Sequence, residues 1–304
     1  MISIDRAIAK RRLQDALFNG LGWVCLLLVI GALSILLVDL AIDGLGRINW
    51  QFLTSFPSRR PGQAGILSAW VGTLLVMLVT VCTAIPLGVA AGVYLEEYAK
   101  KNWFTSIIEI NIANLAGVPS IIYGLMALGL FVYAFGLGQS IAAAGLTLGI
   151  LILPIIIVST REALRSIPLH IREAAYGLGA TRWQVIRHHL LPYSTAGIAT
   201  GAIIGVSRAI GETAPLVTIG ALTFIAFLPP APITTDPELT LQPFKWLGSP
   251  FTVLPIQMFN WVSRPGDDFL QNAAATGLTL IIVTVLLNSV AIVLRARARK
   301  AIKW

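Results

Sequence analysis

The stretch SRAIGETAPLV, Ser207 to Val217, places an arginine, Arg208, and a glutamate, Glu212, inside a long apolar run. A charge within a bilayer costs roughly 2.5–3.5 kcal/mol on insertion scales, and such residues face a bundle interior or a watery path. Residues four apart share one helix face. Two chemistries fit the pair: it neutralises itself and pins the bundle, or it serves a passing ion. Arginine before glutamate is the weaker order for a pair at this spacing, which leaves room for partners on other spans or another subunit. A guanidinium on a water-lined face matches a tetrahedral oxyanion through its fork of donors. Counted from Ser194 at ~1.5 Å per residue, Arg208 lies about 21 Å along its helix, near or past the middle of a ~30 Å core. Gly211 and Pro215 can kink the helix nearby.

The elements that must position these charges are membrane spans. The chain has 304 residues, 56% of them hydrophobic and 12% charged, where a soluble domain carries about 25% charged. Mean hydropathy is +0.81. A span needs about 20 apolar residues, and six runs qualify: Leu21 to Ala41, Leu67 to Tyr94, Ile107 to Phe135, Ser140 to Val158, Pro192 to Leu228, and Ala273 to Leu294. The expected fold class is all-α, a polytopic membrane protein with six transmembrane helices. Its parts are a tail over 1–20, a first span and external loop over 21–66, a main transmembrane domain over 67–294, and a basic tail over 295–304. The first apolar run is too long for a signal-peptide core, and no clear cleavage site follows it.

Net charge is +8 with a pI near 9.9, and its placement explains it. Of the 22 Lys and Arg residues, 16 fall in the two tails and in the second-to-third and fourth-to-fifth connections. Five, including Arg47, Arg59, Arg60, Lys245 and Arg264, fall on the other side, and Arg208 lies within a span. The positive-inside rule puts the larger group, and both termini, in the cytoplasm. Nucleic acid is not needed to explain the basic balance.

Cys25 and Cys82 sit in apolar runs with no metal-ligand spacing and read as packing residues. His170, His188 and His189 could suggest metal, but no carboxylate or thiol completes a site with them. No GK dipeptide occurs, so the phosphate-cradling ATP loop is absent, and G-x-S-x-G and H-E-x-x-H are absent too. These absences argue against a catalytic residue set and against a self-contained ATP motor.

The connection over 161–192 reads REALRSIPLHIREAAYGLGATRWQVIRHHLLP around two short helices. Ser166 caps the first, with Pro168 in its opening turn. Gly177 and Gly179 end it. Thr181 and Gln184 form a capping-box pattern that starts the second at Arg182, and Pro192 marks its exit. A DNA-reading helix-turn-helix, a solvated linker and a docking element for a cytoplasmic partner compete here, and tethering to spans at both ends favours docking. In LAGVPSIIYGL, Leu115 to Leu125, residues Gly117, Pro119 and Gly124 permit close helix contact and a kink. The alternative is a true helix break beside a path, where Ser120 and loosened backbone groups meet an anion. Asn111 and Asn114 read as interhelical hydrogen-bonding residues. The external stretch over 229–272 is proline-rich, with LPIQMFNWV as a short interfacial helix and Trp246 and Trp261 at headgroup level.

EAAYGLGATRWQVIRHHLLP resembles the EAA loop of ABC-transporter permeases, with Glu173, Ala174, Ala175, Gly179, Leu191 and Pro192 at the motif positions and His189 where isoleucine is usual. SRAIGETAPLV, LAGVPSIIYGL and FTVLPIQMFNWVSRPGDDF resemble the phosphate-specific PstA family of binding-protein-dependent permeases. The likeness covers most of 67–294, and the sister PstC family shares parts of the third and fifth spans. The resemblance implies a type I ABC importer permease fold in a prokaryotic cytoplasmic (inner) membrane. It implies a PstC-like second permease, two PstB-like ATPase subunits that use ATP and Mg, and a PstS-like external phosphate-binding protein; the chain itself would bind no cofactor. Arg208 and Glu212 would lie on the anion path with Ser120, and the EAA positions would face the ATPase. Molybdate or sulfate is the alternative cargo. An ion-coupled secondary transporter, a membrane enzyme and a purely structural subunit are the other classes, and the EAA-like loop argues against the first of these.

Overall fold

A computed structural model describes residues 2–230 and 244–300. The first helix, α1 (Ile2–Gly44), runs unbroken from the charged tail through the first span. Its apolar side chains stay exposed along nearly the whole length. It packs against the last helix, α12 (Asp267–Lys300). Contact is closest at Gly44, where a Cβ would sit 2.8 Å from the Ala274 backbone.

The external loop that follows carries the short α2 (Trp50–Thr54), whose first turn is capped by the Asn49 side chain accepting from Phe52 N. The core of the bundle is α3 (Leu67–Val93) against α6 (Ile141–Arg165), with α9 (Leu191–Gly211) packed on α6 and touching α3. In lipid the apolar solvent supplies little drive for helices to associate, so close backbone approach at small residues carries much of the packing. A Cβ on Gly88 would meet Ile156 at 2.6 Å, one on Gly92 would meet Thr160 at 2.7 Å, and the Thr80 hydroxyl donates to the Gly145 carbonyl at 3.1 Å. Three buried clusters result: one around α3, α6 and α9, one under the external loops around Phe52 and Trp261, and one at the cytoplasmic end around Leu164, Val185 and Leu190.

Among the described residues five helices are long and apolar enough to cross a membrane, and six if one bent pair counts as a span. That pair corrects the expected third span. It is α4 (Trp103–Leu115) and α5 (Ser120–Ala127), the latter widening into a π turn over Leu128–Ala134, with a bend of 107° at the break. Pro119 accounts for the break. Its fixed φ and missing N–H suit the entry to α5 and prevent continuation from α4. The eight and seven residues past the break reach at most about 22 Å, less than the ~30 Å hydrocarbon core.

The fifth span is also corrected. It does not run on to Leu228: α9 stops at Gly211, Glu212 is extended (φ −76°, ψ 126°), and only the short α10 (Ala214–Thr218) follows. At its other end Pro192 is no exit. α8 (Arg182–Val185) passes through a π turn over Ile186–Leu190 directly into α9, and Pro192 lies inside this continuous helix just past the π turn, whose widened hydrogen-bond pattern accommodates a residue without an N–H. Ser166 caps no following helix; it ends α6, its hydroxyl donating to the Ala163 carbonyl, and Pro168 precedes α7 (Leu169–Gly177).

Outside, LPIQMFNWV is helical as α11 (Leu254–Val262) and packs on α12. Trp246 and Trp261 are both buried in the protein, so neither ring is presented to surrounding lipid. Pro232, Pro237 and Pro243 of the proline-rich loop lie outside the described residues. Asn111 bonds within its own helix, Nδ2 donating to the Ile107 carbonyl at 2.8 Å, and makes no bridge to another.

Candidate functional site

Arg208 and Glu212 touch. The Arg208 Nε lies 3.3 Å from the Glu212 carboxylate, with side chains 35% and 18% exposed. The helix end makes this possible. Ala209 and Ile210 are buried, which turns Arg208 to the open side, and the extended Glu212 folds its side chain back along the last turn. Contact is through the Nε edge alone; the two Nη amines have no hydrogen-bond partner among the described residues. The weaker arginine-first order therefore still gives a contact, but a long one-point contact that leaves the guanidinium fork open.

The open end of α9 meets the start of α5. Gly124 packs on Pro215 and Thr218 of α10. The hydroxyl of Tyr123, one residue earlier, donates 2.7 Å to the Leu115 carbonyl across the α4–α5 break. Two broken helices thus converge on one region. Ser120 opens α5 and is half-buried, and the first N–H groups of a helix have no partner within it. Both sequence readings of LAGVPSIIYGL hold in part: Gly124 makes the close contact and Gly117–Pro119 makes the break. Beside this region an apolar hollow of about 610 Å³ lies between Ile121, Thr213, Val217, Phe259 and Leu280.

The loop over 161–192 is built as two short helices, of which only the second carries a side-chain cap. The Thr181 hydroxyl accepts from the Gln184 N–H while the Gln184 side chain accepts from the Thr181 N–H, the full capping box. Gly179 has φ +85°, the left-handed conformation glycine adopts freely. Glu173, Ala174, Gly179 and Pro192 face outward. Ala175 does not, being 6% exposed and packed with Val185 and Leu190, while Leu191 is half-buried against the same cluster. Leu169, Leu178 and Trp183 add an exposed apolar surface around the glycine turn, with Leu178 at 90%.

Residues 84–303 match the family described as binding-protein-dependent transport system inner membrane component. The chain belongs to that family. It is similar to the probable ABC transporter permease protein YqgI of Bacillus subtilis, at 33% identity over 70% of this chain and 73% of the relative. It is similar to the phosphate transport system permease protein PstA of Pasteurella multocida, at 31% identity over 90% and 88%. Among solved structures, an inward-facing form of the MetNI methionine ABC transporter matches with a TM-score of 0.54 at 19% identity, over 76% of this chain and 94% of that one. That likeness establishes a shared fold, the type I importer permease fold. The chain is thus a multi-pass membrane subunit of a transport system.

Three acidic residues of this permease were not singled out from sequence. Glu96 and Glu97 lie in the π turn Tyr94–Tyr98 that ends α3, and Glu109 lies on α4. They pair with Arg161, Arg165 and Arg172, which sequence reading counted only as topology signals. A glutamate pair at the inner end of an apolar run, facing an arginine-rich connection, was the available signal. Among the described residues no group of three His, Cys, Asp or Glu side chains could hold a metal.

Proposed function

We propose that this chain is a permease subunit of an ATP-driven importer that moves inorganic phosphate across the cytoplasmic membrane by alternating access. The observation that carries the proposal is the half-exposed Arg208 guanidinium, held by Glu212 through Nε alone, with both Nη donors free where two broken helices meet. A fork of donors suits a tetrahedral oxyanion. Glu212 offsets the positive charge, so an anion is attracted and is not held. Ser120, at the start of α5, supplies a hydroxyl and free N–H groups at the positive end of the helix. The PstA relatives support phosphate as the cargo.

The outward-facing loop residues Glu173, Ala174, Gly179 and Pro192, with Leu178 and Trp183 beside them, would dock on an ATPase subunit. Ala175 and Leu191 would act from inside, fixing the shape of that loop. The partners would be a PstC-like permease, two PstB-like ATPases that bind ATP and Mg, and a PstS-like binding protein outside. Both termini would be cytoplasmic.

The test is ATP-driven uptake of radiolabelled phosphate into vesicles that carry this chain with the subunits that co-purify with it, with sulfate and molybdate as competitors. Saturable, ATP-dependent uptake that ignores both competitors is the expected result. Inhibition by either would change the cargo, and uptake without an ATPase would move the chain to the secondary transporters.

A further inference from the structure

The charges at the cytoplasmic ends of α3, α4 and α6 form one connected set. Arg161, its side chain 8% exposed, meets the Glu109 carboxylate at 2.6 Å through Nη2 and the Glu96 carboxylate at 3.4 Å through Nε. Glu96 also takes Arg165 at 2.9 Å. Its neighbour in the same π turn, Glu97, takes Arg172 of α7 at 2.9 Å. Arg172 donates as well to the carbonyls of Leu164 and Ile167 at the end of α6. Two sets of ion pairs, joined through the adjacent Glu96 and Glu97 of one π turn, therefore lead from α7 in the cytoplasmic loop to α4.

The two sides of the α4–α5 break are held very differently. α5 buries Tyr123, Gly124 and Ala127, whereas none of the thirteen residues of α4 is buried. With little apolar packing to fix it, α4 is tied to the body of the protein by Glu109 to Arg161 at one point and by Leu115 to Tyr123 near the break. Removing one partner of a buried ion pair normally strands a charge. Here the penalty is reduced. Arg161 keeps Glu96 at 3.4 Å through Nε when Glu109 leaves, although its buried Nη2, which makes no well-directed hydrogen bond, then has no close carboxylate; Glu109, 34% exposed, is within reach of water. The pair can therefore open at modest cost.

We propose that Glu109 and Arg161 form a releasable latch. They are positioning residues that hold the α4 arm against α6 in this state, and displacement of α7 loosens the latch through Arg172 and the shared Glu96–Glu97 turn. Opening it frees α4 to swing about the break over 116–119, and so changes the surroundings of Ser120 at the start of α5. This rests on the reading of α7 as the ATPase-docking element.

The test uses the complete co-purified assembly in lipid nanodiscs and in proteoliposomes. Cys25 and Cys82 are first replaced by serine, and spin labels are placed at Ala113→Cys on α4 and Val158→Cys on α6. In the native latch, the label distance should change between nucleotide-free and ATP-bound, vanadate-trapped states. In Glu109→Gln the trapped-state distance should already be populated without nucleotide. ATP hydrolysis should stay within twofold of native, and phosphate taken up per ATP should fall at least tenfold. Glu109→Asp, which keeps the charge, should restore at least half of the coupling, a rescue that a merely space-filling role would not give. A single label distance in every nucleotide state, or native uptake per ATP in Glu109→Gln, would overturn the latch. If the native assembly hydrolyses ATP but takes up no phosphate, the cargo reading fails while the distances still decide the latch. An assembly with no ATPase would overturn both.

Discussion

Gly124 of α5 lies directly on Pro215 of α10, so that a Cβ on the glycine would stand 2.6 Å from the proline Cα and 2.8 Å from its carbonyl oxygen. Backbone cannot swing aside as a side-chain tip can. This contact joins the two broken helices, and the Tyr123 hydroxyl next to it bridges the α4–α5 break. Gly124→Ala should push α10 from α5 and cost about 1–3 kcal/mol, the usual range for overpacking. Thermal unfolding of the detergent-solubilised assembly should show a lowered midpoint, and uptake should fall further than assembly does. Unchanged stability and uptake would mean that α10 yields freely.

Arg208 and Glu212 have opposite expected effects on cargo handling. Arg208→Gln should reduce uptake at least 100-fold while the subunits still co-purify. Arg208→Lys should recover little of that, because an ammonium lacks the planar fork. Glu212→Gln removes the charge that offsets the arginine, so both KM and the maximal rate of uptake should fall as the anion is held longer. Normal uptake by Arg208→Gln would remove the arginine from the path. A raised KM in Glu212→Gln would mean that the carboxylate serves to orient the guanidinium and not to weaken binding.

Gly179 has φ +85° and no neighbour within 4 Å of a built Cβ, so the cost of replacing it is a backbone cost alone. A β-branched residue is poorly suited to that conformation, and the left-handed region costs roughly 1–2 kcal/mol for an ordinary residue. Gly179→Val should therefore distort the turn between α7 and α8 and lower the amount of ATPase that co-purifies, without changing membrane insertion. Gly179→Asn should be milder, since asparagine tolerates this region. Quantifying the ATPase band in affinity-purified assemblies separates these outcomes. Equal recovery in the valine variant would mean that this turn does not shape the docking surface.

Hydropathy and capping chemistry made much of this fold legible. The second, fourth and sixth spans, the Thr181–Gln184 capping box and the helix LPIQMFNWV all follow from local composition. What sequence left out was direction and partnership. The runs over 107–135 and 192–228 are apolar throughout, and an apolar run records that lipid or protein surrounds a segment, not that one helix crosses it. Hence the bend at Pro119 and the stop at Gly211 were open possibilities at most. The Arg208–Glu212 contact was local enough to be posed as a question. Arg161–Glu96, Arg172–Glu97 and Arg161–Glu109 join residues 52 to 75 apart, and no spacing rule reaches that far. The π turn that presents Glu96 and Glu97 leaves no residue signature either.

Arg47 was read from sequence only as an external charge, yet it ties the external loops together. Its Nε donates to the side-chain Oδ1 of Asn272 at 2.7 Å, and its Nη2 donates to the backbone carbonyls of Pro61, Gly62 and Ala64 at 3.0, 3.1 and 2.9 Å. Asn272 in turn donates to Pro61, and the guanidinium covers the Phe52 ring at 5.1 Å. One cation thus joins the end of α1, the 61–64 turn and the start of α12. Hydrogen bonds to a charged group contribute about 1.5–3 kcal/mol, and orphaned buried acceptors cost about as much again. Arg47→Ala should destabilise the protein by about 3 kcal/mol. Arg47→Lys should recover less than half of that, because a single ammonium cannot reach Asn272 and the turn carbonyls together. Thermal unfolding gives the magnitude, and protease added outside sealed, correctly oriented vesicles gives the location: cleavage should rise within 48–66 and remain native elsewhere. A native unfolding midpoint in Arg47→Ala would mean that the apolar cluster around Phe52 and Trp261 holds these loops without the cation.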